Sequence, residues 1–375
     1  MKIPRAYDRL DKHLKPNKVL VIYGPRQVGK TTLLQNFLST TSLKYKIDTG
    51  DNIKIRNLFS SQDVDAVLDY ASGYKLIAID EAQKITHIGA GLKILVDHLP
   101  GIRVVVTGSA SFELAGQIGE PLTGRKNTLT LFPVAQMELE KIYNKYDLKE
   151  KLEEYLVFGS YPEVITAGSK KSKTQRVEEI TDSYLLKDVL EIERVKSPKL
   201  LLDLLRLLAF QIGNEVSLTE LGTQLGIDYK TVARYLDLFE KSFILFNSRG
   251  FSGNLRKEVT KKSKYYFYDN GVRNALIANF NGLDLRDDVG KLWENFIFME
   301  RLKKRGYKNI SANVYFWRTW DQQEVDIVEE REGKLFGYEC KWRGGKVREP
   351  KDWKQNYPNA SFEVISKENY LKFIV

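Results

Sequence analysis

Residues 24–31 read Gly24-Pro25-Arg26-Gln27-Val28-Gly29-Lys30-Thr31, a complete G-x-x-x-x-G-K-[ST] phosphate-binding loop. The apolar run Val19-Leu20-Val21-Ile22-Tyr23 before it predicts a buried strand. Thr32-Leu33-Leu34-Gln35-Asn36-Phe37-Leu38 after it predicts a helix. That strand–loop–helix context distinguishes a phosphate cradle from a Gly-rich turn with an incidental lysine. Backbone N–H groups along residues 24–31 and at Thr32 are expected to wrap the phosphates. Lys30 then reaches the β and γ oxygens and the Thr31 hydroxyl ligates Mg²⁺. The motif implies a nucleoside triphosphate ligand, with ATP and Mg²⁺ as the expected cofactors.

The chain of 375 residues is too long for one ordinary core and predicts two or three domains. Hydrophobic content of 42% and charged content of 29% describe a soluble globular protein. No apolar stretch approaches the roughly 18–20 residues of a membrane span, and the start of the sequence lacks a signal-type apolar segment. One cysteine excludes an internal disulfide and a Cys-rich zinc site, which suits the cytoplasm. His13, His87 and His98 have no metal-ligand spacing. A net charge of +10 favours a polyanionic partner, although lysine-rich surfaces also serve solubility.

Further apolar runs follow the loop: Tyr45-Lys46-Ile47-Asp48, Lys75-Leu76-Ile77-Ala78-Ile79-Asp80-Glu81, Arg103-Val104-Val105-Val106-Thr107-Gly108-Ser109 and Leu129-Thr130-Leu131-Phe132. Helical patterns lie between them, as at residues 63–70 and 91–99. Strands separated by helices predict a parallel sheet covered on both faces. Functional groups in such sheets collect at the carboxyl ends of the strands. Asp80 is placed to hold Mg²⁺ through water, and Glu81 to orient and deprotonate the attacking water. Thr107 or Ser109 would sense the γ-phosphate from the neighbouring strand end, the alternative being a common turn.

The chain at this point resembles the AAA-type ATPases, in particular the prokaryotic group whose phosphate loop reads G-P-R-Q-V-G-K-T. In that group a Walker B strand ends in D-E-A-Q and a later strand in T-G-S. These features stand here at residues 24–31, 80–83 and 107–109, and the likeness continues through Leu122-Thr123-Gly124-Arg125 and Leu131-Phe132-Pro133. The resemblance implies that Arg125 is an arginine finger or γ-phosphate sensor; a surface arginine is the alternative. Arg26 is a candidate for phosphate contact or for an ion pair.

Residues 152–163 read as a helix closed by Gly159-Ser160-Tyr161-Pro162-Glu163, similar to an element that follows the ATPase core in the same family. Residues 169–173 are expected to form a charged loop, and residues 175–194 a long amphipathic helix. From Pro198 three helices are predicted: residues 200–212, a segment capped by Ser217, and a segment capped by Asp228, with Gly226 at the turn between the last two. This is a helix–turn–helix layout of winged-helix type. Its second helix presents Tyr229, Lys230, Thr231 and Arg234, while Val232, Leu236 and Phe239 face the core. Two strands follow, at 243–246 and 264–268. Their connection carries Arg249, Arg256, Lys257, Lys261 and Lys262, a basic wing suited to a phosphate backbone. Winged helices also mediate protein contacts and hinge motions.

Residues 290–300 predict a helix with Glu294 near its start, followed by strands at 313–318, 324–328 and 336–342. If the last two pair as a hairpin, Asp326 lies beside Glu339 and Lys341, with Cys340 turned to the core. Carboxylates and a lysine around one point can bind Mg²⁺ and activate water for phosphodiester hydrolysis. The order E…D…E-x-K resembles the PD-(D/E)xK nuclease superfamily. That resemblance implies that Glu294, Asp326 and Glu339 are metal ligands and that Lys341 stabilises charge. Val325 stands where the family pattern has proline. Such domains also persist as binding platforms without cleavage.

The expected architecture is α/β: an AAA-type P-loop NTPase domain over residues 1–135, a helical linker or lid over 136–196, a winged-helix domain over 197–275, and an α/β restriction-endonuclease-like domain over 276–375. The reading is an ATP-hydrolysing, DNA-binding ATPase. It would be a ring-forming homo-oligomer, with a hexamer as one candidate stoichiometry, that moves along, remodels or processes branched DNA without membrane contact. The alternatives are an ATP-dependent switch or winged-helix regulator with an inactive nuclease fold, and a protein-remodelling ATPase.

Overall fold

The computed structural model describes residues 3–109, 122–185, 187–192, 197–252, 263–345 and 347–375. Five strands, β1 (Lys18–Tyr23), β2 (Tyr45–Thr49), β3 (Leu76–Asp80), β4 (Arg103–Gly108) and β5 (Lys126–Thr130), form a wholly parallel sheet in the order β2-β3-β4-β1-β5. Alternation along the strands supplies both faces with apolar side chains. Val19, Val21, Ile77, Ile79, Val104 and Val106 pack toward helices α2 (Ile53–Ser61), α3 (Val64–Ala71) and α4 (Ile88–His98). Leu20, Ile22, Leu76, Ala78 and Val105 pack on the other side against α1 (Lys30–Leu38). This second core runs on without interruption into residues 157–276.

Helices α5 (Leu152–Phe158) and α6 (Lys170–Glu179) follow. The segment expected as a charged loop at 169–173 is instead the start of α6. Ser169 caps it, its hydroxyl accepting from the Ser172 N–H at 3.1 Å. The long helix expected over 175–194 is broken by a π-helical turn at Ile180–Tyr184. Next come α7 (Pro198–Phe210), the short β6 (Glu215–Val216), α8 (Leu218–Leu225) and α9 (Tyr229–Lys241). Ser217 and Asp228 cap α8 and α9 as the sequence indicates, and Gly226 turns between them in the left-handed region. Val232, Leu236 and Phe239 are buried.

The remaining strands are β7 (Leu245–Gly250), β8 (Ser263–Phe267), β9 (Asn313–Arg318), β10 (Glu324–Arg331), β11 (Lys334–Cys340) and β12 (Ser361–Ile365). They join β6 in one mixed sheet of seven strands, ordered β12-β11-β10-β9-β7-β8-β6. The hairpin after the helix–turn–helix and the C-terminal strands, which the sequence assigns to separate regions, therefore pair edge to edge. The joint is parallel, with Arg249 opposite Tyr315 and Gly250 opposite Phe316. Helices α10 (Asn270–Leu276), α11 (Val289–Lys308), α12 (Lys351–Asn356) and α13 (Tyr370–Ile374) complete the chain. Among the described residues no helix is long and apolar enough to cross a membrane.

A buried polar network ties the two sheets together. Lys303 of α11 donates to Glu300 at 2.7 Å and to the Ser160 hydroxyl at 3.2 Å, and Glu300 accepts the Gln136 N–H at 2.7 Å. Asp269 accepts the Ser160 N–H at 2.7 Å while capping α10. A Cβ on Gly159 would stand 1.9 Å from the Asp269 carboxylate, so only glycine lets the chain pass there.

Burial lifts the Glu240 carboxyl at the end of α9 to about 7; the Asn247 hydrogen bond, Arg249 and Lys241 oppose the rise and Asp237 adds to it. Since the folded value exceeds the unfolded one, the folded chain holds a proton that the unfolded chain has released. Stability conferred by that proton falls as pH rises through this window, from about 4.5 to 7. Glu240→Gln should flatten the decline of melting temperature across it; equal declines in both proteins would remove Glu240 as its source.

Candidate functional site

The loop after β1 turns at Gly24, where a Cβ would lie 2.0 Å from the Leu131 carbonyl oxygen, and re-enters the fold at Gly29, the N-cap of α1. Lys30 is only 4% exposed. Its ammonium donates to the carbonyls of Gly24 at 2.8 Å and Pro25 at 2.7 Å, bonds that phosphate oxygens would replace. The Thr31 hydroxyl donates to Asp80 Oδ2 at 2.8 Å. Thr107, beside the end of β3, donates to the other Asp80 oxygen and accepts the Glu81 N–H at 3.2 Å. The first turn of α1 and the end of β4 thus meet at the carboxylate that ends β3.

Glu81 sits in the left-handed region at φ 51°, uncommon for a residue with a Cβ. Gln83 donates to its carboxylate at 2.8 Å, with Arg26 at 3.9 Å and Lys84 at 4.0 Å. Gln83 also donates to the Ser109 hydroxyl at 3.1 Å. Thr31 and Asp80 offer adjacent hard oxygens, a donor set that fits Mg²⁺. Pro25 and Arg26 line a shallow pocket with Tyr161, Leu185 and the Ser242-Phe243-Ile244 segment that directly follows α9.

Arg125 requires a correction. It precedes β5, and Val19 donates to its carbonyl at 2.9 Å, whereas the phosphate loop follows Tyr23, the partner of Thr130. Five residues of parallel strand, about 16 Å, separate it from its own nucleotide site. It ion-pairs with Asp97 at 2.5 Å, so it is no γ-phosphate sensor within one chain.

Arg5 is the residue that the motifs do not reveal. Its guanidinium, 7% exposed, donates to the Val28 carbonyl inside the phosphate loop, to the Phe132 carbonyl at 2.6 Å and to Glu138 at 3.0 Å. Glu138 also accepts the N–H groups of Ala6 at 2.6 Å and Ala135 at 2.8 Å. Tyr307 of α11 completes the group, accepting from Arg5 at 3.4 Å and from the Phe132 N–H at 3.0 Å. These partners lie too far along the chain for any spacing rule to link them.

In the seven-stranded sheet, β10 and β11 pair as the expected hairpin, and Asp326 accepts the Cys340 N–H at 2.7 Å. Lys341 ion-pairs with Glu339 at 2.6 Å. Glu294 accepts from Tyr266 at 2.8 Å. Lys264 of β8, read from the sequence only as a strand residue, stands among the carboxylates, 3.3 Å from Glu294 and in contact with Glu324. Burial raises the Asp326 carboxyl well above its usual range, and the charges of Glu294 and Glu339 add to this. Among the described residues no group of three His, Cys, Asp or Glu side chains is arranged to hold a metal ion.

Lys230 and Arg234 are exposed on α9, as expected of the second helix. Arg256, Lys257, Lys261 and Lys262 lie outside the described residues.

Removing one partner of a buried ion pair leaves the other uncompensated, so Arg5→Ala should cost about 3–5 kcal/mol of stability. Arg5→Lys keeps a charge but loses the planar fork, and should weaken binding of a fluorescent ATP analogue while the chain stays folded. Unchanged affinity in folded Arg5→Lys would reduce Arg5 to a purely structural role.

Residues 16–140 match a family model described as an AAA domain. Residues 149–284 and 289–368 match two models described as domains of unknown function, DUF8612 and DUF4143. The chain is similar to uncharacterized proteins of Mycobacterium tuberculosis (27% identity, covering 90% of this chain and 73% of that one) and Haemophilus influenzae (24%, covering 85% and 81%). Another, from Methanocaldococcus jannaschii, is 26% identical over 87% of this chain and 75% of its own. Among solved structures it is similar to a Walker-type ATPase of Pyrococcus abyssi (TM-score 0.45, 17% identity, 69% of this chain and 91% of that one). Replication initiator DnaA, solved with AMPPCP and single-stranded DNA, scores 0.31 at 14% identity, over 62% and 85%. Both scores are too low to carry residue roles or ligands across. The chain thus combines a region that matches an AAA domain with two regions that match domains of unknown function.

Proposed function

We propose that this chain hydrolyses ATP and couples the cycle to DNA held by its helix–turn–helix, as a cytoplasmic homo-oligomer that moves along or remodels DNA. The observation that carries hydrolysis is the Asp80–Glu81 pair: Asp80 bridges Thr31 and Thr107, while Glu81 is held by Gln83 near Arg26. With nucleotide present, Lys30 would exchange the Gly24 and Pro25 carbonyls for phosphate oxygens, and Thr31 and Asp80 would hold Mg²⁺. The bound ion would neutralise charge on the triphosphate. Glu81, released from Gln83 and Arg26, orients the attacking water and takes its proton. Arg125, at the far end of the sheet, acts across a subunit boundary.

Coupling is supported by the pocket in which Pro25 and Arg26 meet residues 242–244, the segment leaving α9. Movement of the loop upon phosphate binding bears directly on the helix that exposes Lys230 and Arg234. In this reading α7, β6, α8, α9, β7 and β8 are a winged helix. The last four strands with α11 are an endonuclease-like platform that binds DNA without cutting it. The proposed regions remain 1–135, 136–196, 197–275 and 276–375.

Glu81→Gln should bind ATP normally and lose about 10²–10⁴-fold in turnover. DNA should stimulate wild-type turnover several-fold, with the salt slope of DNA binding falling by about 1 for Lys230→Ala or Arg234→Ala. Turnover indifferent to DNA would sink the coupling and leave an ATP-dependent switch. A Glu81→Gln protein that stays monomeric under ATP by light scattering would exclude Arg125 acting in trans.

A further inference from the structure

We infer that Lys264 is the resident cation of the C-terminal carboxylate cluster and that its ammonium keeps divalent ions out. The inference concerns the cluster alone and stands whether or not the chain binds DNA. Lys264 is 1% exposed, and a lysine so deeply buried persists only when its charge is matched. Its stem runs beside the Phe316 ring, with the ammonium 5.2 Å from the ring centre. The ammonium lies 3.3 Å from Glu294 on α11 and touches Glu324 at the start of β10. Burial opposes the charge, but Glu294 and Glu324 hold the lysine protonated above its usual range.

A divalent ion at this place would need Glu294, Asp326 and Glu339 to turn oxygens onto one point. Lys264 repels such an ion from contact distance of Glu294. Two further oxygens are already engaged, Asp326 Oδ2 by the Cys340 N–H and Glu339 Oε1 by Lys341. Glu339 Oε2 is buried without a hydrogen-bond partner, so an oxygen stands ready for a cation once the ammonium is gone. The lysine comes from β8, the strand before α10, and not from the E-x-K segment itself. The cation is thus built into the chain and does not depend on metal supply.

The test is Mn²⁺ titration of the full chain, read by the electron spin resonance of free Mn²⁺. Wild type and Asp326→Asn should give superimposable curves at millimolar Mn²⁺. Lys264→Met should gain a site at least about tenfold tighter than any in wild type, lost again in the double variant Lys264→Met/Asp326→Asn. If Lys264→Met does not fold, Lys264→Gln, which can still hydrogen-bond to Glu294, is titrated in its place with the same expectation. An Asp326-dependent Mn²⁺ site in wild type overturns the inference, as does a folded Lys264 variant that gains none.

Discussion

One buried guanidinium sets the conditions for the rest of the molecule. Arg5 joins the carbonyl of Val28 in the phosphate loop to the end of the strand segment at Phe132, to Glu138 and to Tyr307 on α11. A charge withdrawn from water is stable only if every donor finds an acceptor of fixed position. That requirement fixes the loop, the segment leaving the first sheet and the C-terminal helix relative to one another. Tyr7 packs edge-on against Tyr307, with ring centres 5.2 Å apart, so the same junction is also sealed by apolar contact.

The second junction is built from the same materials. Lys303, Glu300, Ser160 and Asp269 come from three separated stretches of chain and satisfy one another out of water. The Gly159-Ser160-Tyr161-Pro162-Glu163 element, noticed in the sequence through resemblance, is part of this joint. Its glycine makes room for Asp269, and its serine hydrogen-bonds to Asp269 and Lys303. The last long helix is therefore held by two polar networks: Arg5 links Tyr307 to the nucleotide loop, and Lys303 and Glu300 bind Ser160 and Gln136.

Local pattern made much of this legible. The phosphate loop, the Asp80–Glu81 strand end and the capped helices at Ser217 and Asp228 are written in neighbouring residues, where period and spacing report directly on geometry. The hairpin that brings Asp326 to Cys340 was equally readable from strand alternation. What escaped was everything fixed by distant partners. Arg5 and Lys264 are ordinary basic residues in sequence, and their roles arise from acceptors scores of positions away. Arg125 shows the converse: a motif position carried over by resemblance lies, through the direction of β5, at the opposite end of the strand from its own nucleotide site. The pairing of β7 with β9 escaped because edge strands carry no sequence mark of which neighbour they will take.

That pairing has a consequence for how the chain can come apart. With β9 in place, Arg249 and Gly250 at the end of β7 are paired; without β9 they would present unpaired N–H and C=O groups beside Phe251, which is buried in the intact chain. An open strand edge of that kind is a template for a second copy of the same chain. The C-terminal strands thus act as an edge guard for the helix–turn–helix hairpin, and a chain cut between α10 and β9 would be prone to self-association before it lost any residue of the nucleotide site.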